Sequence, residues 1–523
     1  MLFFTSKLMS ILGIDLGTTY SCVAKSDGKK RVEVLTFQRN NSPMIPSVVS
    51  FTDDGTPFVG QTAKNDLIVH EDRAIDSVKR EMNKEYCDKM LKIDGTLRKV
   101  SPMEPSACIL RYLFSNANRV LKETYHENEC NKAVITIPAS FNDLQREKTK
   151  TAAELAGIDV LGLLQEPTAA AIAYNIKPEE TILVFDLGGG TLDVSVVRYE
   201  QKKSNSYVVL GTPAGDDHLG GKDWDEAMVF HILRKLNIDP ESISKYGRVW
   251  AELMREAENR KIELSERYQT EFEVKIPGAN TFIKITRSEF ETISSGLVQR
   301  AVKIVEKAIQ NAGNSPIDRF ILVGGSSRMP MIIKTLERTF VHTISKNRPL
   351  KDWISLSDPD FAIAKGAAIY ANTISSTKDD TIKVKDKVTR SYGFQAMRGA
   401  KRILINIIFL DDPCVVEDRS FTLTTRRDNQ ETIDIVIIEN DSIEDELEYD
   451  CTNPLLCKSF ILPPHLPKGT EVNFHVQRDK NGIIQTSVEC YGNEIQYLSK
   501  EIAEDSILKQ IKQTINKMKT KEN

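Results

Sequence analysis

Two segments of this chain carry an aspartate, then glycine and threonine, at matching spacing. One is Leu12-Gly13-Ile14-Asp15-Leu16-Gly17-Thr18-Thr19, and the other is Val184-Phe185-Asp186-Leu187-Gly188-Gly189-Gly190-Thr191. Glycine lets a backbone approach a ligand closely, threonine adds hydroxyl donors, and the N–H groups of such a turn can cradle phosphate oxygens. A polyphosphate also calls for a cation and a fixed positive side chain. Asp15, Asp186 and Asp193 are candidates to gather around magnesium, mainly through the water shell that this ion retains. The nearest approach to a Walker A sequence, Gly220-Gly221-Lys222-Asp223, lacks the upstream glycine and the Ser/Thr. The phosphate site is therefore expected on hairpins and not on a P-loop.

The elements that must hold these turns read as apolar strands on either side of them. Ser21 to Ala24 follows the first turn and Val194 to Val197 the second, which makes each segment a hairpin with a polar tip. A third strand ends in glycine at Ile321-Leu322-Val323-Gly324-Gly325, followed by Ser326, Ser327 and Arg328. A duplicated hairpin implies two similar lobes facing each other, with the ligand between them. Ala133 to Pro138 reads as a buried strand, Asp143 to Ala156 as a helix, and Glu252 to Glu266 as another. The α/β alternation runs to about Asn372.

Beyond that point the grammar changes. Ser375 to Arg390 is polar and charged, with Ile382, Val384 and Val388 at even spacing, as in a linker able to lie as an edge strand. Strands are expected at 403–410, 421–425, 432–438, 470–476 and 482–488, with a hairpin turn at Asp479-Lys480-Asn481-Gly482. Ser499 to about Lys519 has helical spacing at Ile502, Ile507, Leu508, Ile511 and Ile515.

Bulk properties narrow the class. With 523 residues, more than one packed unit is expected. A formal net charge of −4 gives no reason to expect nucleic acid or an anionic membrane as partner. The 8 cysteines contain no CxxC pair, which excludes a disulfide framework and a zinc site and fits a reducing compartment. The opening MLFFTSKLMS is short and has no small-residue cleavage site; Met9 is an alternative start. No run of about 18 apolar residues exists. A cytoplasmic location is expected.

The ordered set GIDLGTTYSCVA (13–24), AVITIPASFNDLQR (133–146), LLQEPTAAAIAY (163–174), FDLGGGTLDVSVV (185–197), GDDHLGGKDWD (215–225) and ILVGGSSRMP (321–330) resembles the signature motifs of Hsp70 (DnaK-type) nucleotide-binding domains. The resemblance covers about the first 370 residues. It implies an α/β fold: an actin-like, duplicated ribonuclease H-like, two-lobed ATPase domain (1–373). A linker (374–390), a β-sandwich substrate-binding domain (391–496) and a short helical tail (497–523) in place of a longer lid would follow. It implies ATP/ADP, Mg2+ and K+ as cofactors, and slow hydrolysis used as a switch.

Residue by residue, Lys79 resembles the lysine that contacts the γ-phosphate and the attacking water, and Glu166 the acid that couples that site to the lobe interface. Asp186 and Thr191 resemble the groups that orient water and phosphate. Gly17, Thr18, Thr19, Tyr20, Gly188, Gly189, Gly190 and Gly221 fall in the nucleotide-contacting segments. Glu258, Lys261 and Ser265, with Gly324, Gly325, Arg328 and Asp360, resemble the adenosine pocket. Taken singly, Lys79 would be a surface lysine, Glu258 and Lys261 a helical ion pair, Asp193 a strand cap and His218 a loop histidine. Pro138 and Arg146 resemble the family's interdomain relay.

The β-rich region resembles the family's substrate-binding sandwich, with Phe394, Ala396, Met397, Leu423, Ile433, Ile435 and Val472 at groove positions. Such a slot grips an extended peptide by backbone hydrogen bonds and a few buried side chains; the same residues would also serve as sandwich core. Three departures stand out: a lysine-rich linker, Arg398 where relatives have a small residue in the arch over the groove, and room for only one helix after the sandwich. A groove without a latch should exchange peptide quickly. The implied partners are unfolded or extended polypeptides, a J-domain co-chaperone and a nucleotide-exchange factor. Two other functions compete: an ATP-binding scaffold with one dedicated partner, and a sugar-kinase-like enzyme on the same core, against which the peptide-domain strands argue.

Overall fold

The computed structural model describes residues 11–522 outside the segments 28–30, 38–41, 202–205, 244–246, 277–278, 346–352, 376–382, 386–387, 449–455, 495–496 and 499–500 and the positions 389, 400, 411 and 441. Met1, Met9, Ile382, the linker lysine Lys387 and Cys451 lie outside the described residues. The chain divides into two compact units. The first comprises Met1–Ser140, Lys148–Val384 and Ile511–Asn523; the second comprises Phe141–Glu147 and Lys385–Gln510.

The first unit contains two sheets of matching order. In one, strand Ile11–Asp15 pairs antiparallel with Tyr20–Ser26 and parallel with Lys132–Ile137, beyond which lies Asp159–Gln165. In the other, Thr181–Leu187 pairs antiparallel with Leu192–Glu200 and parallel with Arg319–Val323, beyond which lies Ile354–Ser355. The paired hairpins thus occupy equivalent places, with Asp15 opposite Cys22 and Asp186 opposite Asp193 at their tips. Their strands are nearly continuous apolar runs because both faces are covered.

Two alanine-rich helices, Glu166–Ala173 and Ala362–Ser375, let the elements approach closely. A Cβ on Gly366 would overlap the Ala169 carbonyl, and one on Gly13 would overlap the Ala368 backbone. Helix Arg248–Glu266 starts four residues before the sequence suggested, and buries Leu253, Ala257, Lys261 and Leu264 along one face. Strand Lys383–Lys385 joins the edge of the second sheet, and Val384 packs on the neighbouring core. An edge strand, as the even apolar spacing suggested, is present over these three residues.

The last helix is Glu501–Glu522. From Ile511 onward it belongs to the first unit, with Ile511, Ile515 and Met518 buried. Thr514 Oγ1 donates to Glu104 Oε1 at 2.7 Å, and Glu104, fully buried, also accepts two bonds from Arg98 at 3.0 and 2.8 Å. Lys517 donates to the Asp54 carbonyl at 2.7 Å and pairs with Asp94 at 3.0 Å.

In the second unit, two sheets share one core. The first includes Ser391–Arg398, Lys401–Ile408, Thr432–Asn440 and Leu456–Ile461; the second includes Val416–Thr424, Glu471–Arg478 and Ile484–Cys490. Alternation along Glu471–Arg478 turns Val472, Phe474 and Val476 inward. Phe394 meets Phe421 and Phe474 with ring centroids 5.6 and 5.5 Å apart. The turn at Asp479–Gly482 is as expected, with Gly482 at φ +76° and its N–H donating to the Asp479 carbonyl at 2.9 Å. Strand Val416–Thr424 begins earlier than the sequence indicated, because pairing with Glu471–Arg478 continues across an irregularity between Val416 and Arg419. Within this unit Asp143 Oδ1 accepts from Arg478 Nη2 at 3.1 Å and from the Tyr392 hydroxyl at 3.2 Å.

Candidate functional site

The two hairpin turns of the first unit meet. A Cβ on Gly189 would overlap the Thr19 hydroxyl, and one on Gly190 would lie 2.6 Å from Thr18 Cγ2 and 2.9 Å from Arg80 Nε. Gly17 is confined from its own side, since a Cβ there would overlap the Tyr20 carbonyl. Under the second turn, Gly221 N–H donates to the Gly188 carbonyl at 3.0 Å and Lys222 N–H to the Gly189 carbonyl at 2.8 Å. The N-terminus of helix Gly221–Lys235 is thereby set beside the turn, where its dipole favours an anion. Gly220 also abuts Gly190 with no room for a side chain.

Carboxylates gather around these turns. Asp15 Oδ1 accepts from the Thr136 hydroxyl at 3.3 Å, and Asp193 Oδ1 from the Ser140 hydroxyl at 3.1 Å. Burial pushes Asp15 up to about 7, and Glu166 adds to the shift. Asp193 is pushed up to about 7 by the same two causes, and Asp186 is held well above the carboxylate range by burial, Glu166 and Asp193. Lys79 Nζ lies 2.6 Å from Glu166 Oε1. Burial works against the Lys79 ammonium, yet Glu166 and Asp15 outweigh it and keep the lysine charged. Four acids around one ammonium form a site that an added cation would relieve. Among the described residues, no group of three His, Cys, Asp or Glu side chains is close enough to hold a metal ion directly.

The candidate adenosine-side residues are also placed. Glu258 pairs with Lys64 at 2.8 Å and accepts from the Tyr20 hydroxyl at 3.4 Å. Lys261 donates to the Gly221 carbonyl at 2.9 Å and to Asp225 Oδ2 at 2.8 Å. Glu258 and Lys261 thus each reach a distant element, which a plain helical ion pair would not require. Ser265 Oγ bonds back to the Lys261 carbonyl. Gly324 takes φ +78° with no room for a side chain, Gly325 faces Asp360, and Arg328 Nη2 pairs with Asp360 at 2.5 Å. A cavity of about 610 Å3 opens between Thr18, Thr19 and Gly189, Lys64 and Glu258, and an apolar wall at Trp250 and Met254. That volume is in the range of small-ligand sites.

Thr136, Ser140, Lys64, Arg80, Lys222 and Asp225 join the site without having been singled out as ligand contacts. Ser140 lies in the AVITIPAS motif, Arg80 is the neighbour of Lys79, and Lys222 belongs to the Gly220-Gly221-Lys222-Asp223 segment that lacks the rest of a P-loop. Thr191 closes its own turn, its carbonyl accepting from Gly188 N–H at 3.1 Å. His218 sits in a loop, where its N–H donates to Asp216. Pro138 is buried in the first unit, and Arg146, buried in the second, donates to the Phe141 carbonyl at 3.0 Å.

In the second unit the groove candidates separate. Phe394, Ile435 and Val472 are at most 2% exposed and lie inside the core, whereas Ala396, Leu423 and Ile433 are partly buried against it and Met397 is half-buried. Arg398 reaches Glu446 at 2.6 Å. Among the described residues no helix is long and apolar enough to cross a membrane. With two facing glycine–threonine turns, a caged lysine and an acidic cluster in one unit and a two-sheet β unit after it, the sequence agrees with a model built for one family: the family described as Hsp70 protein matches residues 11–523, and the chain belongs to the Hsp70 family.

Proposed function

We propose that this Hsp70 family member couples ATP binding and hydrolysis to the binding and release of extended apolar peptide segments. The family is one of chaperone ATPases that use ATP/ADP and Mg2+; the residue roles and the peptide activity are our reading. The observation that carries it is the Lys79–Glu166 pair beside the point where the two glycine turns meet.

In this reading the N–H groups of Gly17–Thr19 and Gly188–Gly190 cradle the phosphates from opposite lobes, with the Gly221 helix end adding positive potential. Asp15, Asp186 and Asp193 would hold hydrated Mg2+, which supplies charge neutralisation at the phosphates. Lys79 meets the terminal phosphate and the attacking water, Glu166 fixes the direction of its ammonium, and Thr191 orients the phosphate. Glu258, Lys261, Ser265, Gly324, Gly325, Arg328 and Asp360 shape the adenosine side, and Tyr20 closes over it through Glu258. K+ would share the acidic cluster. The division at 374–390, and Pro138 and Arg146 as relay, belong to the same proposal.

Leu423, Ile433, Ala396 and Met397 keep side-chain surface for a peptide. The enclosure of Phe394, Ile435 and Val472 favours a second reading, an ATP-binding scaffold whose β unit holds a dedicated partner and no general client. One measurement separates the two: ATP-dependent release of a labelled apolar heptapeptide. Binding that ATP loosens supports the chaperone; no binding, or no response to ATP, supports the scaffold.

A further inference from the structure

The segment leading into Lys79 is unusual. Ser77 sits in the left-handed region at φ +56° and ψ 22°, and the 3-10 turn Val78–Glu81 that carries Lys79 and Arg80 begins immediately after it. A side chain there is disfavoured, and such a conformation persists only where surrounding contacts impose it. No hydrogen bond from the Ser77 side chain caps the turn. Within the turn the Ser77 carbonyl accepts from Arg80 N–H at 3.0 Å, and the Ser77 side chain is met from helix Gly221–Lys235.

Lys222, in the first turn of helix Gly221–Lys235, extends its ammonium to Asp76 Oδ2 and to Ser77 Oγ, the latter at 2.6 Å. Burial would raise the Asp76 carboxyl; Lys222 outweighs that and holds it below its usual range. The next residue of the same helix, Asp223, faces Arg80 at 3.7 Å, and Arg80 Nε would be 2.9 Å from a Cβ on Gly190. Lys79 is therefore bracketed. The residues two and three before it are tied to Lys222, the residue after it faces Asp223, and the helix supplying both ties is itself bonded to the glycine turn through Lys222 N–H.

We propose that Lys222 is a positioning residue for Lys79: by pinning Asp76 and Ser77 across the cleft, it holds the 3-10 turn so that the Lys79 ammonium stays at Glu166. Approach of the two lobes and placement of Lys79 then become one event. An opened cleft, in which Lys222 leaves Asp76, releases Ser77 from its strained conformation and lets the turn carry Lys79 away from the acids. This inference rests on the reading of Lys79 as the group that meets the terminal phosphate.

The test compares the intact chain with Lys222→Ala, Lys222→Arg and Asp76→Asn. In nucleotide-free protein, amide hydrogen exchange over residues 77–81 should quicken about tenfold in Lys222→Ala and Asp76→Asn, while strand Thr181–Leu187 keeps its protection. Lys222→Arg, which can still reach the carboxylate, should restore most of the protection. With Mg2+ and ATP, single-turnover hydrolysis should fall about 10- to 100-fold in Lys222→Ala, as for a misplaced catalytic group, with ATP affinity held within about threefold. The Asp76→Asn and Lys222→Ala losses should not add. Unchanged exchange at 77–81 overturns the proposal. So does an affinity loss as large as the rate loss, since Lys222 would then be a nucleotide contact. If the unaltered chain binds no ATP, the functional reading fails, and the exchange comparison still decides whether Lys222 holds the turn.

Discussion

Lys79 and Glu166 form a salt bridge at 2.6 Å with side chains only 10% and 6% exposed. Taking both charges out of water is costly, so the pair survives because each needs the other. Lys79→Met should abolish single-turnover ATP hydrolysis while calorimetry still detects bound nucleotide. It should also lower stability by about 3–5 kcal/mol, since Glu166 is left buried and unpaired. Adding Glu166→Gln should recover much of that stability and none of the hydrolysis. A Lys79→Met protein that melts like the unaltered chain would show that the pair is not enclosed.

The acid cluster predicts a pH signature. Asp15 and Asp193, both pushed up to about 7, bind their protons more tightly folded than unfolded. Their contribution to stability is fully present below about 4, the usual carboxylate range, and is lost as pH rises through about 7. Magnesium competes with those protons. The thermal shift produced by Mg2+ with ADP should therefore grow between pH 6 and pH 8, and Asp193→Asn should flatten the trend. A magnesium effect independent of pH in this window would contradict the cluster.

Two glycines should fail in opposite ways. Gly189 faces a threonine hydroxyl at the meeting of the turns, and Gly366 faces the Ala169 carbonyl between packed helices. Gly189→Ala is expected to weaken ATP affinity about tenfold or more with little change in melting temperature, because a Cβ intrudes where the backbone must approach the phosphates. Gly366→Ala should cost about 1–3 kcal/mol of stability or more, because a backbone carbonyl cannot turn aside. Denaturant titration and calorimetry on both variants check the contrast.

Much of this site was legible because its signals are local. The Asp–Gly–Thr hairpins are contiguous, and their strands are marked by unbroken apolar runs, so Asp15, Gly17–Thr19, Asp186 and Gly188–Thr191 could be placed from spacing alone. What closes the site was not. Lys64 meets Glu258 and Lys222 meets Asp76 across 194 and 146 residues of chain, and a lysine in either segment reads locally as surface. Ser77 gives no sign of its left-handed backbone, since glycine, the usual marker, is absent there. In the β unit, alternation cannot tell a groove wall from a core. Phe394 and Leu423 share that signal, yet Phe394 lies deep between the sheets while Leu423 stays partly open.

The C-terminal helix makes a separate demand. The sequence placed it after the β region as a shortened lid, but its second half is part of the first unit, where Ile515 is 1% exposed. Ile515→Ala should destabilise that unit by about 2–5 kcal/mol, the cost of a cavity. Thr514→Val should cost about 1 kcal/mol by removing one bond to Glu104. Nucleotide-dependent melting curves report on both; no change in either would show that the helix is dispensable to the first unit.

That helix also alters what the linker means. The chain leaves the first unit at Val384 and re-enters it at Ile511, so covalent anchor points to the first unit flank the β unit on both sides in sequence. A protease that nicks the lysine-rich stretch before Val388 would sever one anchor only, and the fragments should co-elute on a sizing column until the helix is peeled away.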